Sequence, residues 1–407
     1  MAKTRYGVSP WAERAARSEL PAPIRLRGDR SSNVVVVGGG FTGCLTALAF
    51  AQAGQEVVLL EANRIGAATT SAASGRLLST PGVSFRALHE RFGLRAARQA
   101  WDTLRLSSLD LQALLRRLGI VCDQVQADRL QVAMTGEQAA ALEREYQALR
   151  DAGFEATWLT RPRAKAATGL VTEGALKLPA GGLVDPYRAC LGLARHAARR
   201  GAALFEGSAA RRIKAGSRLV EVFTAEGRVT AERVVVATGL PQPGFSTLAR
   251  HLRTYDEFAV MLPPLPAALR RSLGHGSHVV CDMAEPPHNW HWTKGGQLIF
   301  SGAAGEPTPP RTLESVLIRR SAQLMYELSL LYHDISGVQP ERGWAVRATT
   351  TADGLPVAGS HRSYPRHFFA TGLDPAGLAA SYLAARLALR AHFGAPEKGD
   401  ELFAVIR

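Results

Sequence analysis

Apolar positions change their spacing along the chain in a way that separates strands from helices. Val34–Val37 is a continuous β-branched run, the pattern of a short strand buried on both faces of a parallel sheet. Gly38-x-Gly40-x-x-Gly43 follows at once, and the stretch from about Phe41 to Ala53 reads as a helix that Gly54 stops. A second apolar run, Val57-Val58-Leu59-Leu60, leads into Glu61 and Ala62. Further on, Trp101, Leu104, Leu111, Leu115 and Leu118 keep a helical period. Thr135-Gly136-Glu137-Gln138 reads as a capping box opening a helix with Leu142, Tyr146 and Leu149 on one face. Asp185 is placed as an N-cap with Pro186 behind it; Tyr187, Leu191 and Ala194 then share a face, and Gly201 ends that helix. Val234-Val235-Val236 is another buried strand, running into Ala237-Thr238-Gly239. "HNWHWTK" and "QLIFSGA" read as sheet strands, with His291 opposite Trp290 and Trp292 by alternation. Near the carboxyl end a strand closes on Thr371-Gly372, turns through Gly377 and opens an Ala/Leu-rich helix.

Bulk properties narrow the class. A chain of 407 residues, 46% hydrophobic and 21% charged, supports two sizeable cores and is not disordered. The net charge of +14 invites a polyanion as partner. The arginines, however, occur as scattered pairs such as Arg116–Arg117 and Arg199–Arg200, with no long run or aromatic interleaving, so they read as solvated surface and nucleic acid is not the expected partner. Cys44, Cys122, Cys190 and Cys281 lie far apart without a CxxC, which favours reduced thiols. With no leader-like or spanning apolar run, the expected setting is cytoplasmic, without a membrane span. Residues 1–30 are expected to form an arm lying over the surface.

The glycine turn carries the chemistry. Gly38 permits the tight turn, Gly40 lets backbone approach a pyrophosphate, and Gly43 lets helix and strand pack closely. The pyrophosphate then meets the positive end of the helix, and Glu61 meets a ribose hydroxyl while repelling a 2′-phosphate. Three further segments favour FAD over NAD. "NRIGAATTSAASGRLL" (63–78) is small and hydroxyl-rich, so a flavin can lie against its backbone while Thr69, Thr70 and Ser71 donate to phosphate or ribityl oxygens. The strand ending in Thr238-Gly239 allows close passage of the cofactor. The turn through Gly372, Leu373, Gly377 and Leu378 aims a helix amino end at the flavin carbonyls. A single dinucleotide fingerprint leaves no second domain for NAD(P)H, so electrons enter from an organic substrate.

These segments together resemble the FAD-dependent D-amino-acid oxidase superfamily, and within it are similar to the glycine oxidase, sarcosine oxidase and gamma-glutamylputrescine oxidase branch. The resemblance implies an α/β fold: a Rossmann-like FAD-binding domain of the glutathione-reductase type, discontinuous over 31–85, 180–245 and 340–407. Into it an α+β substrate domain, 86–179 and 246–339, inserts with an antiparallel sheet. The similarity adds Ala210 at the adenine, Phe41 and Thr42 at the phosphates, and Gly75 and Leu77 in the flavin loop. It implies hydride transfer from a C–H bond beside an amine nitrogen to flavin N5, an imine that water hydrolyses, and oxygen or another acceptor for the electrons. Arg347, in "GWAVRATTTADGLPVAG", matches the segment whose arginine pairs with a substrate carboxylate; its other expected role is a structural pair, with Asp353 the candidate partner. Arg76 replaces an apolar loop residue and faces flavin or substrate; His291 is the remaining catalytic candidate. Two departures matter. "TGLDPAGL" stands where glycine oxidase has a second substrate arginine, which shifts the expected substrate toward an amine or a larger amino acid. Val346 and Ser71 stand where relatives attach flavin covalently, so non-covalent FAD is expected. The pairs His275/His278 and His288/His291 lack a converging carboxylate, so no metal is expected. Two other readings stay open: a 2-hydroxy-acid oxidase or dehydrogenase, needing a histidine base, and a flavin-containing protein that binds RNA or another partner.

Overall fold

The computed structural model describes residues 3–14, 20, 22–374 and 376–407. Two large sheets organise them. In the first, strands Ala203–Phe205, Val57–Leu60, Gly28–Val37, Gly227–Gly239 and Tyr364–Thr371 run parallel. The hairpin Arg212–Ala215 and Val220–Phe223 pairs antiparallel with the first half of Gly227–Gly239, and Val357–His361 does the same on Tyr364–Thr371. Alternation explains the all-apolar run at its centre. Val34 and Val36 pack beneath helix Phe41–Gln52, while Val35 and Val37 pack on the other side with Phe205 and Phe369. Each such buried side chain contributes about 1.5–3 kcal/mol. The strand starts at Gly28, ahead of its apolar part and inside the segment expected as an arm.

The second sheet has nine strands, in the order Arg5–Tyr6, Arg342–Thr351, Leu252–Met261, Leu298–Gly305, Asn289–Trp292, His278–Cys281, Asp128–Ala133, Gly174–Leu178 and Thr157–Leu159. Its pairings are antiparallel except at Arg5–Tyr6 and between His278–Cys281 and Asp128–Ala133. One face packs Phe258, Val260, Trp290 and Phe300 against helix Leu313–Leu331. The opposite face sends Ala259, Met261, Ile299 and Trp344 into the core shared with the cofactor-side helices. Strand Arg342–Thr351, grouped by sequence with the cofactor segments, thus hydrogen-bonds into this second sheet.

The amino-terminal residues do more than lie over the surface. Arg5–Tyr6 adds an edge strand beside Arg342–Gly343, and Trp11 is buried with its Nε1 donating to Ala73 O at 2.8 Å. Residues 15–19 and 21 of the expected arm lie outside the described residues. The long helix Phe85–Arg117 buries Trp101, Leu104, Leu111 and Leu115 and is interrupted at Gly93, whose φ of 80° is non-helical. Thr135 caps the next helix by accepting from Gln138 N–H at 3.2 Å, but Gln138 returns its side chain to Met134 N–H. Asp185 accepts from the amides of Tyr187 and Arg188 at 3.0 and 2.9 Å and so starts helix Pro186–Arg199. All four cysteines are free and buried. Among the described residues no helix is long and apolar enough to cross a membrane.

His288 ties the second sheet to its covering helix. Its Nδ1 meets Asp282 Oδ2 at 2.6 Å, its Nε2 meets Glu327 Oε2 at 3.0 Å, and its ring stacks on Phe300. Burial alone favours the neutral ring, but the two carboxylates outweigh it and raise the pKa above 6.5. A raised histidine pKa adds stability that is complete below the unfolded value of about 6.5 and is lost as pH rises through the folded value. His288→Gln is therefore expected to cost about 1.5–3 kcal/mol in mildly acidic buffer. The deficit shrinks on the alkaline side; thermal unfolding of both proteins across pH, with a constant deficit as the contrary result, checks it.

Candidate functional site

A cleft opens where the carboxyl ends of Gly28–Val37 and Gly227–Gly239 meet strand Arg342–Thr351 and the start of helix Gly377–Phe393. It encloses about 1140 Å³ of atom-free space counting its open mouth. Its floor is the glycine turn. A Cβ on Gly43 would sit 1.8 Å from Gly38 O, and one on Gly38, whose φ is 107°, would sit 2.5 Å from Ala237 O. Only bare backbone fits at both places. Phe41 N–H donates to Thr70 Oγ1 at 3.0 Å, which ties the small-residue loop to the helix start. A Cβ on Gly40 would crowd the same hydroxyl at 3.3 Å. Thr42 Oγ1 lies 2.8 Å from Ser381 Oγ, joining the two helices that begin at the cleft. Glu61 stands at its strand end, accepting from Gly39 N–H at 2.7 Å and Asn63 N–H at 2.8 Å. A cradle filled by any Cβ, two helix amino ends and an acid at the strand end fit FAD.

The sequence candidates divide. Gly38, Gly40, Phe41, Thr42 and Glu61 border the cleft, as do Thr69, Thr70, Gly75 and Arg76 from the loop. Thr238 and Gly239 come from the parallel strand, and Leu373, Gly377 and Leu378 from the last turn. Six others are not part of the lining. Gly43 acts beneath it, through packing. Ser71 spends its hydroxyl on the carbonyls of Ala67 and Ala68, both at 3.0 Å. Leu77 is fully buried in a short strand paired with Gly182–Leu183, and Ala210 packs beside the cluster around Phe205. Ala62 is exposed, and Gly372 turns the chain at a φ of 60°, where a Cβ would meet Leu252 and Thr351 at 2.9 Å.

Arg347 is placed by strand parity. Trp344, Val346 and Ala348 share one side of the sheet, and Arg347 between them borders the cleft, its carbonyl 3.5 Å from Thr69 Oγ1. Its cross-strand partner is Asp256. The guanidinium Nε and Nη2 grip the Asp256 carboxylate at 2.7 and 2.9 Å, and Nη2 also donates to Thr308 O at 2.7 Å. Burial works against the Asp256 charge, but the Arg347 hydrogen bonds and the Thr308 amide outweigh it and lower its pKa. The partner is thus Asp256, not Asp353, which Arg407 holds at 2.6 and 2.7 Å. With its Nε/Nη2 edge taken, Arg347 has no bidentate fork to offer a substrate.

The charges that do face the cleft were harder to foresee. Arg76 is 9% exposed, with Nε on Ser74 Oγ at 2.8 Å, Nη2 on Glu257 at 3.4 Å, and Nη1 buried without a partner. Glu257 also accepts from Ser301 Oγ at 2.7 Å. Tyr255, two residues before Glu257 on the same strand face, donates its hydroxyl to Asp374. Burial first, and then the Glu257 charge, push Asp374 up to about 6. Asp374 shows in sequence only as a departure at "TGLDPAGL"; Tyr255 and Glu257 carry one signal, acids within the strand-like "TYDEFAVML".

His291 does lie opposite Trp290 and Trp292, which pack under helix Leu313–Leu331. It borders a separate small cavity beside Trp11 and Lys294 rather than the cofactor cleft, and burial, with Arg76 adding, lowers its pKa to about 3. His275 packs edge-on against Trp292, and among the described residues no group of His, Cys, Asp and Glu is placed to hold a metal ion. A broader, shallower cleft bordered by Arg95, Arg98, Trp101 and Lys398 contains none of the cofactor turns.

Comparisons with known proteins agree with this geometry. The family described as "FAD dependent oxidoreductase" (DAO) matches residues 33–391. The chain is 26% identical over 393 residues to gamma-glutamylputrescine oxidoreductase of Escherichia coli, covering 95% of this chain and 89% of that one. It is 26% identical to glycine oxidase of Geobacillus kaustophilus over 349 residues, covering 84% and 87%. The crystal structure of glycine oxidase from that organism superposes with a TM-score of 0.73, covering 93% of this chain and 99% of that one at 24% identity. L-proline dehydrogenase from P. horikoshii gives 0.75 at 19% identity, covering 94% and 98%.

Two substitutions separate the roles of the glycine turn and the loop hydroxyls. Gly43→Ala forces backbone apart at a cost of at least about 1–3 kcal/mol, and should weaken FAD binding about 10-fold or more. Ser71→Ala removes only an internal bond and should purify with its flavin intact. Flavin absorbance per protein, measured for both, checks the pair; loss of flavin in Ser71→Ala is the contrary result.

Proposed function

Because the chain belongs to the DAO family of FAD-dependent oxidoreductases, we propose that it oxidises the C–N bond of an amine to an imine, which water hydrolyses. FAD is its cofactor, and the reading is that FAD is held without a covalent link. When bound, FAD supplies the hydride acceptor. The residues present hold and orient. Gly38, Gly40 and the amino end of helix Phe41–Gln52 take the pyrophosphate; Glu61 takes the ribose; Gly239, Leu373 and Gly377 border the flavin end. The observation that carries the reading is the convergence of these distant turns on one cleft whose far wall is Arg76, Glu257 and Asp374.

The choice of an amine over an amino acid rests on charge. Arg347 is engaged by Asp256 and Arg76 by Glu257; Arg64 also borders the cleft but follows Glu61 among the cofactor turns, so beside Glu257 and Asp374 the buried orphaned donor among the described residues is Arg76 Nη1. Oxidation of a 2-hydroxy acid calls for a base on the substrate oxygen. The histidine expected for that role, His291, borders the other cavity, and the carboxylate of a 2-hydroxy acid would meet Glu257 and Asp374 in this one. The relatives' own names point both ways on substrate, one to an amine derivative and one to glycine.

An anaerobic titration of the flavin-loaded protein tests this. 1,4-Diaminobutane and N-methylbutylamine are expected to bleach the flavin absorbance, glycine and lactate to leave it. Bleaching by lactate alone would reverse the reading. Admission of air then separates an oxidase, which recolours at once, from a dehydrogenase, which needs another acceptor. Acid precipitation should leave the yellow colour in the supernatant.

A further inference from the structure

Resting on that reading of an amine oxidation, we propose that Asp374, positioned by Tyr255, binds the substrate as an ammonium ion and removes its proton inside the cleft. The substrate class follows: a cationic amine with no carboxylate on the reacting carbon.

The geometry comes from three elements. Asp374 sits in the turn between strand Tyr364–Thr371 and helix Gly377–Phe393, its amide donating to Thr349 O at 3.2 Å, and its side chain borders the cleft. Tyr255 holds Oδ2, while Oδ1 has no hydrogen-bond partner among the described residues. No Arg, Lys or His among them forms an ion pair with Asp374. The two charges that act on Asp374, Glu257 and Arg76, are matched to each other, while Arg64 and Glu61 line the cleft at the cofactor turns. Facing Asp374 are Tyr255 and Glu257 from strand Leu252–Met261 and Arg76 from the loop, with Arg76 and Glu257 paired to each other. Strand Arg342–Thr351 presents Ala348 and Thr349, its Arg347 being turned to Asp256, and the first turn of helix Gly377–Phe393 carries no charged residue. This end of the cleft therefore holds one surplus negative charge, on an oxygen without a hydrogen-bond partner among the described residues. A buried carboxylate without a counter-charge favours a cation beside it, and a substrate carboxylate at that place would meet two carboxylates instead.

The proton step balances. The substrate N–H bond breaks and leaves its electron pair on nitrogen; the proton forms an O–H bond at Asp374 Oδ1, turning ammonium and carboxylate into free amine and carboxylic acid. The lone pair so released is what drives hydride from the neighbouring carbon, and the acid returns its proton to solvent once product has left. Burial and Glu257, by holding Asp374 up near 6, make it a better proton acceptor than an exposed aspartate.

The test is the second-order rate constant for anaerobic flavin reduction by N-methylbutylamine, followed against pH. The unmodified enzyme should lose rate on the acid side with a midpoint of about 6 as free Asp374 protonates, and on the alkaline side as the ammonium ion disappears. Asp374→Asn should lose the acid limb, fall about 100-fold at neutral pH, and recover as pH rises and free amine accumulates. Tyr255→Phe removes a bond that favours the carboxylate, so its acid limb should move to higher pH. An Asp374→Asn enzyme that keeps its flavin and the unmodified profile overturns the proposal and leaves the amine reading standing. If no amine reduces the flavin, both fall. Should Asp374→Asn purify without flavin, Tyr255→Phe decides, and an unmoved acid limb overturns the proposal.

Discussion

Backbone touching backbone at the glycine turn is the constraint on which the cofactor side of this molecule depends. Gly38 O occupies the place a Gly43 side chain would need, and Ala237 O occupies the place of a Gly38 side chain. Helix Phe41–Gln52 can therefore lie directly on the ends of two parallel strands, with its positive amino end over the cleft. Ala237 follows directly on Val236, the residue its strand pairs with both Val37 and Phe369, so a Gly38 side chain would press on backbone at the irregular step that leads to Gly239. A methyl group here has no flexible side chain to displace, so the strain passes straight into the sheet.

That half of the fold was legible because its signals are local. A β-branched run, glycines at fixed offsets, an aspartate before a proline and a helix-stopping glycine each act within a few residues of where they stand, and strand Val57–Leu60 and helix Pro186–Arg199 form where those signals put them. The second sheet was legible only as strands. Its order joins Arg342–Thr351 to Leu252–Met261 and to Arg5–Tyr6, partners far apart in the chain, and neither periodicity nor composition states a register. Arg347 shows the consequence. The segment around it was identified, but one residue of parity decides which face of a strand a side chain occupies, and pairing with Asp256 puts the guanidinium to work away from a substrate. Trp344 offered the missing clue, since a buried tryptophan fixes the inward face as that of residues 344, 346 and 348.

Charge at the cleft was the least legible feature, for a related reason. An arginine in a loop and a glutamate in a distant strand show no relation in sequence, yet Arg76 and Glu257 meet with both side chains nearly excluded from water. Such a pair returns little stability, because the desolvation of both ions offsets their attraction. What it does is fix the electrostatics of the wall: it cancels the cation that a reader of the sequence would assign to a substrate carboxylate and leaves the neighbouring acid unmatched.

The flavin loop poses a final question of order. Its small residues leave room for a ring system but give the loop almost no apolar surface with which to hold itself. The structure supplies that hold from outside. Trp11 donates to Ala73 O and Trp344 to Ala72 O, each at 2.8 Å, and Ser9 donates to Ser71 O. Each indole adds the burial of a large ring to a hydrogen bond of about 1 kcal/mol. Both indoles belong to one construction, since the strand carrying Trp344 is the strand on which Arg5–Tyr6 docks, and that docking brings Trp11 into place. A single strand, Arg342–Thr351, thus anchors the amino-terminal segment, fixes the loop and borders the cleft. The loop that cradles the flavin is therefore held by contacts from the second sheet and its edge strand, so the cleft on the parallel sheet depends on the antiparallel one for its shape.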